Sequence, residues 1–190
     1  MMNSLEILQH ILKIKNHNVG VFPSDKIPIK WIRPSAFVIN TDAHNRPGTH
    51  WVAIYLAKNG NVSYFNSLGK SQIITNLEKL IRKNCKIYRH NTIQLQSKYS
   101  SVCGQYCIMF LNFMSKGMCM DTFINTFFTS KLHENDTLVE RYVTSLSKQK
   151  IKSADFEKFN NTMSGGRCIV VQCCKKLYSK SLSRHHGRDL

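Results

Sequence analysis

Leu5, Leu8, Ile11 and Leu12 recur at helical spacing and predict a first helix over residues 4–15, with Ser4 placed to cap it. Asn16 to Gly20 ends that pattern, and a loop punctuated by Pro23, Pro28 and Pro34 follows. Residues 36–40 read as a short strand, and the polar stretch TDAHNRPG over 41–48 reads as a turn. Residues 50–56 are a mostly apolar run fit for the interior of a sheet. The pair Asn59–Gly60 is a strong hairpin signal, so residues 62–66 return beside that run. Ile73, Leu77, Leu80 and Ile81 share one face of a helix predicted over 72–84, and a further strand is expected over 92–95. From Val102 to Met114 the chain is apolar nearly all round, as a helix inside a core would be. Gly117 ends it, and two more helices fit 121–128 and 135–147. This order predicts an α+β domain over 1–148, with a small, mostly antiparallel sheet packed on one central helix. Past Lys148 the pattern decays into a basic extension over 149–190.

Composition narrows the class. A chain of 190 residues with 42% hydrophobic residues is long enough for one domain and too apolar for an intrinsically disordered one. No run approaches 18 apolar residues, which argues against a membrane span. The opening MMNSLEILQHILKIK has neither a basic start nor a small-residue cleavage site, so an intracellular location is expected. The seven cysteines are an odd number with no CxxC pair, and free thiols in a reducing compartment account for them. The tail residues Cys168, Cys173, His185 and His186 are the one metal candidate, and the adjacency of Cys173 and Cys174 is poor geometry for a structural zinc. Lys plus Arg is 27 against 11 Asp plus Glu, a formal charge of +16. Such a charge steers a protein toward DNA, RNA or an acidic partner, or is the solvated surface of a lysine-rich chain.

Candidate chemistry starts at Cys103, in the first turn of the core helix, where free backbone N–H groups and the helix dipole favour a thiolate. Gly104 after it would allow a substrate backbone to approach, whereas Cys107, one turn on, suits packing. His50 opens a strand directly after a polar turn, with Trp51 beside it, and could serve a thiol as general base. The hairpin would bring Asn66 next to His50, where an amide oxygen can fix the imidazole tautomer. Gln96, seven residues before Cys103, could offer an amide donor to an oxyanion, with Gln94 a competitor on the same strand face.

Gly48-Thr49-His50-Trp51, then Tyr64-Phe65-Asn66-Ser67-Leu68-Gly69, then Gln96, then Cys103-Gly104-Gln105-Tyr106-Cys107 resemble, in that order and spacing, the adenovirus-type (adenain-like) cysteine proteases. They are similar also to the related SUMO-specific, Ulp-type proteases. Val19-Gly20-Val21-Phe22 and Asn40-Thr41 resemble the adenoviral branch, and its seven-residue step selects Gln96 over Gln94. The resemblance implies a papain-like cysteine peptidase architecture in adenain/Ulp chain order. It implies His50 as base, Cys103 as nucleophile, Gln96 in the oxyanion hole, and Asn66 where the family usually carries Asp or Glu. The implied substrates are precursor proteins of viruses or virus-like transposons. No cofactor is implied for the chemistry itself. DNA or a short peptide is implied as an activator, and the nucleus or a viral particle as the setting. Three other functions fit parts of the sequence: a deconjugating protease for a ubiquitin-like modifier, an inactive basic nucleic-acid-binding protein on the same fold, and a structural zinc protein.

Overall fold

The computed structural model describes residues 1–70 and 75–148; the basic extension and its Cys168, Cys173, His185 and His186 lie outside the described residues. The elements run α1 (Ser4–Ile11), β1 (Asn18–Pro23), β2 (Ser35–Asn40), β3 (Trp51–Leu56), β4 (Asn61–Phe65), α2 (Thr75–Asn84), β5 (Ile87–His90), α3 (Cys103–Ser115), α4 (Met120–Ile124) and α5 (Leu132–Lys148). The five strands form one sheet in the order β1-β2-β3-β4-β5. The two central pairings, β2 with β3 and β3 with β4, are antiparallel. The two outer pairings are parallel, so the sheet is mixed rather than mostly antiparallel.

Both faces of the sheet are covered, which is why β2 and β3 are continuous apolar runs. Ala36, Val38, Trp51 and Ala53 join the larger core, formed with α1, α3, α4 and α5. Phe37, Ile39, Val52, Ile54 and Leu56 alternate with them and pack on the other side against Leu77 and Ile81 of α2 and against Ile27 and Trp31. At the centre of the larger core Phe65 stacks on Phe110 with ring centroids 4.7 Å apart, and Phe123 meets both edge-on. Each such fully buried ring contributes roughly 1.5–3 kcal/mol. Ten of the 13 residues of α3 are buried, so this is the central helix that the apolar run predicted.

Several local expectations change. The cap of α1 is Asn3, whose side chain accepts from the Glu6 N–H while Glu6 reaches back to the Asn3 N–H. Ser4 is instead the first helical residue, and α1 stops at Ile11. β1 replaces an expected loop. It is an edge strand paired on one side only, so Gly20 and Pro23 are tolerated. The strand expected over 92–95 lies earlier, at Ile87–His90; residues 91–96 are irregular because the Leu95 and Gln96 N–H groups both bond the Ser67 carbonyl. Among the described residues no helix is long and apolar enough to cross a membrane.

Candidate active site

His50 precedes β3 and Asn66 follows β4. The antiparallel register pairs Ala53 with Phe65, so both residues emerge from one end of the hairpin. The His50 carbonyl accepts the Thr41 N–H at 2.9 Å, which holds its backbone to the chain leaving β2. Its ring Nε2 lies 2.9 Å from Asn66 Oδ1. The Asn66 amide has one possible orientation, because its Nδ2 donates to the Lys70 carbonyl at 3.2 Å and its Oδ1 accepts the Leu68 N–H at 3.0 Å. An oxygen facing Nε2 means that Nε2 carries the proton and Nδ1 carries the lone pair.

Asn66 is itself clamped. Its N–H donates to Asn91 Oδ1 at 2.8 Å and its carbonyl accepts from Asn91 Nδ2 at 2.7 Å. Gly69 closes the turn with an N–H bond to the same carbonyl at 2.8 Å. Its φ is +67°, and a Cβ there would come within 2.5 Å of the Gln94 backbone nitrogen. Only glycine fits both the backbone angle and the approach. The turn over 66–69 therefore lies directly on the segment that carries Gln96.

Gln96 is buried and Gln94 is exposed, so burial separates two residues that spacing alone left equal. The Gln96 side chain bonds Ser67 Oγ at 2.6 Å and the Ser100 carbonyl at 3.0 Å. The next N–H, of Ser97, is held by the buried Asp136 carboxylate at 3.3–3.4 Å, and Asn135 Nδ2 donates to the Leu95 carbonyl at 3.0 Å. Ser67, Asn91, Asn135 and Asp136 are thus structural parts of the site that sequence reasoning missed. All four sit more than 20 positions from the residue they hold, and no local pattern marks them.

Cys103 is the first residue of α3, after Val102, which supplies no side-chain cap. The backbone N–H dipoles of Trp51, Gly104 and Cys103 itself favour the charged form of its sulfur. Trp51 comes first among them, and it is the residue after His50 in the chain. Burial nevertheless raises the thiol above its ordinary value, with those N–H groups opposing it. The thiolate expected from the helix start is therefore not the resting form. Burial also lowers the His50 imidazole, opposed by its bond to Asn66 and reinforced by the Lys70 charge. Burial thus favours the neutral form of both residues. Cys107 is fully buried and its thiol is pushed further up, as a packing residue would be.

Gly104 does not face open space. A Cβ there would meet Ile7 Cδ1 at 3.2 Å and Met2 Cβ at 3.3 Å, so the chain's own N-terminal segment fills the room expected for a substrate. The open groove lies beside it, about 400 Å³, bordered by Met2, Asn3, Asp42, Arg46, Gly48 and Trp51. Trp51 Nε1 donates to the Met2 carbonyl at 3.1 Å and fixes one wall of that groove.

The tautomer assignment makes a prediction. Asn66→Asp places a negative charge on Nε2 and should reverse the direction of the His50 displacement, from below the ordinary histidine value to above it. The protonated fraction of His50 at pH 7 should rise by about tenfold or more. An NMR titration of the imidazole reads this directly, and an unmoved titration would mean that Asn66 does not face His50 in solution.

A thiol at a helix start, an imidazole fixed by an amide oxygen and a buried amide, set on this mixed sheet, are the side-chain types a thiol-nucleophile centre would need. The chain has the fold of a viral cysteine protease: it superposes on the crystal structure of an African swine fever virus protease with a TM-score of 0.56, over 73% of this chain and 66% of that one, at 16% identity. By sequence it is similar to a cysteine protease of African swine fever virus, 29% identical over 107 residues, which is 50% of this chain and 38% of that protein. It is similar also to a protein named as a thiol protease in Acanthamoeba polyphaga mimivirus, 33% identical over 111 residues, 53% of this chain and 36% of that protein. The chain thus matches little more than a third of the length of these curated relatives. No protein-family model matches it.

Proposed function

We propose that this chain is a cysteine endopeptidase that cleaves precursor proteins, of the kind viruses process, through an acyl-enzyme on Cys103. One observation carries the reading: the 2.9 Å contact of His50 Nε2 with Asn66 Oδ1, which leaves the lone pair on Nδ1. His50 Nδ1 is then a neutral base, and the backbone of the next residue, Trp51, favours the charged form of Cys103.

The steps follow from that resting state. His50 Nδ1 takes the thiol proton as the Cys103 sulfur bonds to the scissile carbonyl carbon. The oxyanion is held by the Gln96 amide and the Cys103 N–H. Protonated Nδ1 then gives its proton to the amine nitrogen, the C–N bond breaks, and a thioester remains. Water, deprotonated by Nδ1, attacks the thioester and releases the acid and the thiol. None of these steps calls for a bound cofactor, and the groove beside Trp51 is the candidate path for the substrate chain.

The test is covalent capture. A peptide carrying a thiol-reactive electrophile at its scissile position should add once per chain, at Cys103, leaving Cys85, Cys107 and Cys119 free, as peptide mapping by mass spectrometry would record. Adducts at the more exposed Cys85 or Cys119 alone would overturn the assignment. Peptides from precursor junctions, run beside modifier fusions ending in Gly-Gly, separate precursor processing from deconjugation.

A further inference from the structure

Ser67 stands between the two amides of the site. Its carbonyl accepts the N–H groups of Leu95 at 2.8 Å and Gln96 at 3.0 Å, so its backbone already grips the segment that carries Gln96. Its hydroxyl lies 2.6 Å from the Gln96 side-chain oxygen, and both residues are almost fully buried, 1% and 2% exposed.

The orientation of the Gln96 amide follows from what its neighbours can do. The Ser100 carbonyl, 3.0 Å away, can only accept, so the group facing it is the NH2. Turned over, the amide would set two carbonyl oxygens against each other in a buried place. With Nε2 fixed on that side, Oε1 faces Ser67, and the hydroxyl must donate to it. A serine hydroxyl can serve as donor or acceptor and would tolerate either amide orientation alone. Paired with Ser100, it permits one. One Nε2 hydrogen goes to Ser100, and the second is the one an oxyanion can take.

We infer that Ser67 is a positioning residue, which through its hydroxyl holds the Gln96 amide with its N–H toward the reacting carbonyl. The inference rests on the protease reading and deepens it. It gives the serine after Asn66 a role in the transition state, in addition to its place in the turn over 66–69.

A double-mutant cycle tests it, with Ser67→Ala, Gln96→Ala and the pair assayed on a peptide that wild type cleaves. Loss of one oxyanion donor costs about 10²–10³ in kcat, so Gln96→Ala should fall in that range. Ser67→Ala should lower kcat by about tenfold or more with KM nearly unchanged, since the oxyanion exists only in the transition state. In the Gln96→Ala background, Ser67→Ala should cost nothing further. Labelling of Cys103 by a small alkylating agent, which forms no oxyanion, should proceed at the wild-type rate in all three variants. Wild-type kcat in Ser67→Ala alongside a slow Gln96→Ala would overturn the inference and leave the protease reading standing. So would losses that multiply in the pair, or alkylation that slows with kcat, because either means general damage to the site. Wild-type kcat in Gln96→Ala would remove the assignment of Gln96 and the inference with it. A wild-type protein that cleaves none of the peptides would overturn both.

Discussion

Cys103→Ala should abolish peptide hydrolysis, with a loss of about 10⁴-fold or more, while the protein stays folded. No other described thiol can take over. Cys107 lies one turn along the same helix, but it is sealed in the core with its thiol pushed well above the ordinary range. Cys85 and Cys119 belong to other elements, at the end of α2 and just before α4. When a nucleophile is removed from a site whose members act as a unit, what survives is the part owed to binding and oxyanion donors. The structural cost is small, because the substitution removes one sulfur from a packed position and leaves a void about the size of a methyl group, worth about 1 kcal/mol. Hydrolysis measured beside a thermal melt separates the two effects, and residual turnover within tenfold of wild type would place the nucleophile elsewhere.

His50→Ala should lose about 10³-fold or more in kcat/KM and also change how stability depends on pH. The kinetic part follows from the neutral resting pair: with the thiol held above its ordinary value, little thiolate forms at pH 7 without Nδ1. Wild-type turnover in this variant would contradict the role of His50. The stability part has a definite sign. The folded imidazole lies below its ordinary value of about 6.5, so near and below that pH the unfolded chain binds more protons than the folded one. His50 therefore draws stability down as pH falls from about 6.5 toward its folded value. His50→Ala should flatten that part of the curve, as urea midpoints collected from pH 7.5 to 5 would record.

The centre of the fold is legible in the sequence, and its margins are not. β3 and β4 stand out because an apolar run, an Asn-Gly turn and a returning run encode a hairpin locally. α3 stands out because a helix buried on nearly every side has no polar face. β1 and β5 are edge strands. One is broken by Gly20 and Pro23, and the other, Ile-Tyr-Arg-His, is half exposed, so neither carries the apolar signal that marks a buried strand. The pairing of His50 with Asn66 follows from the hairpin alone. The choice of Gln96 needed a family resemblance, because the physical difference from Gln94 is burial, which only the folded chain supplies. The thiol was misjudged for a related reason. The helix start is a local feature that lowers its pKa, whereas desolvation comes from the packing of distant elements, and it dominates.

α3 has one more consequence. Its first residue bears the sulfur and its remaining turns lie in the aromatic core around Phe65, Phe110 and Phe123. A cooperative unit of this kind opens only when the whole domain opens. The nucleophile therefore belongs to the slowest-exchanging part of the molecule. Its amide neighbours along the helix should report the global unfolding free energy rather than a local one.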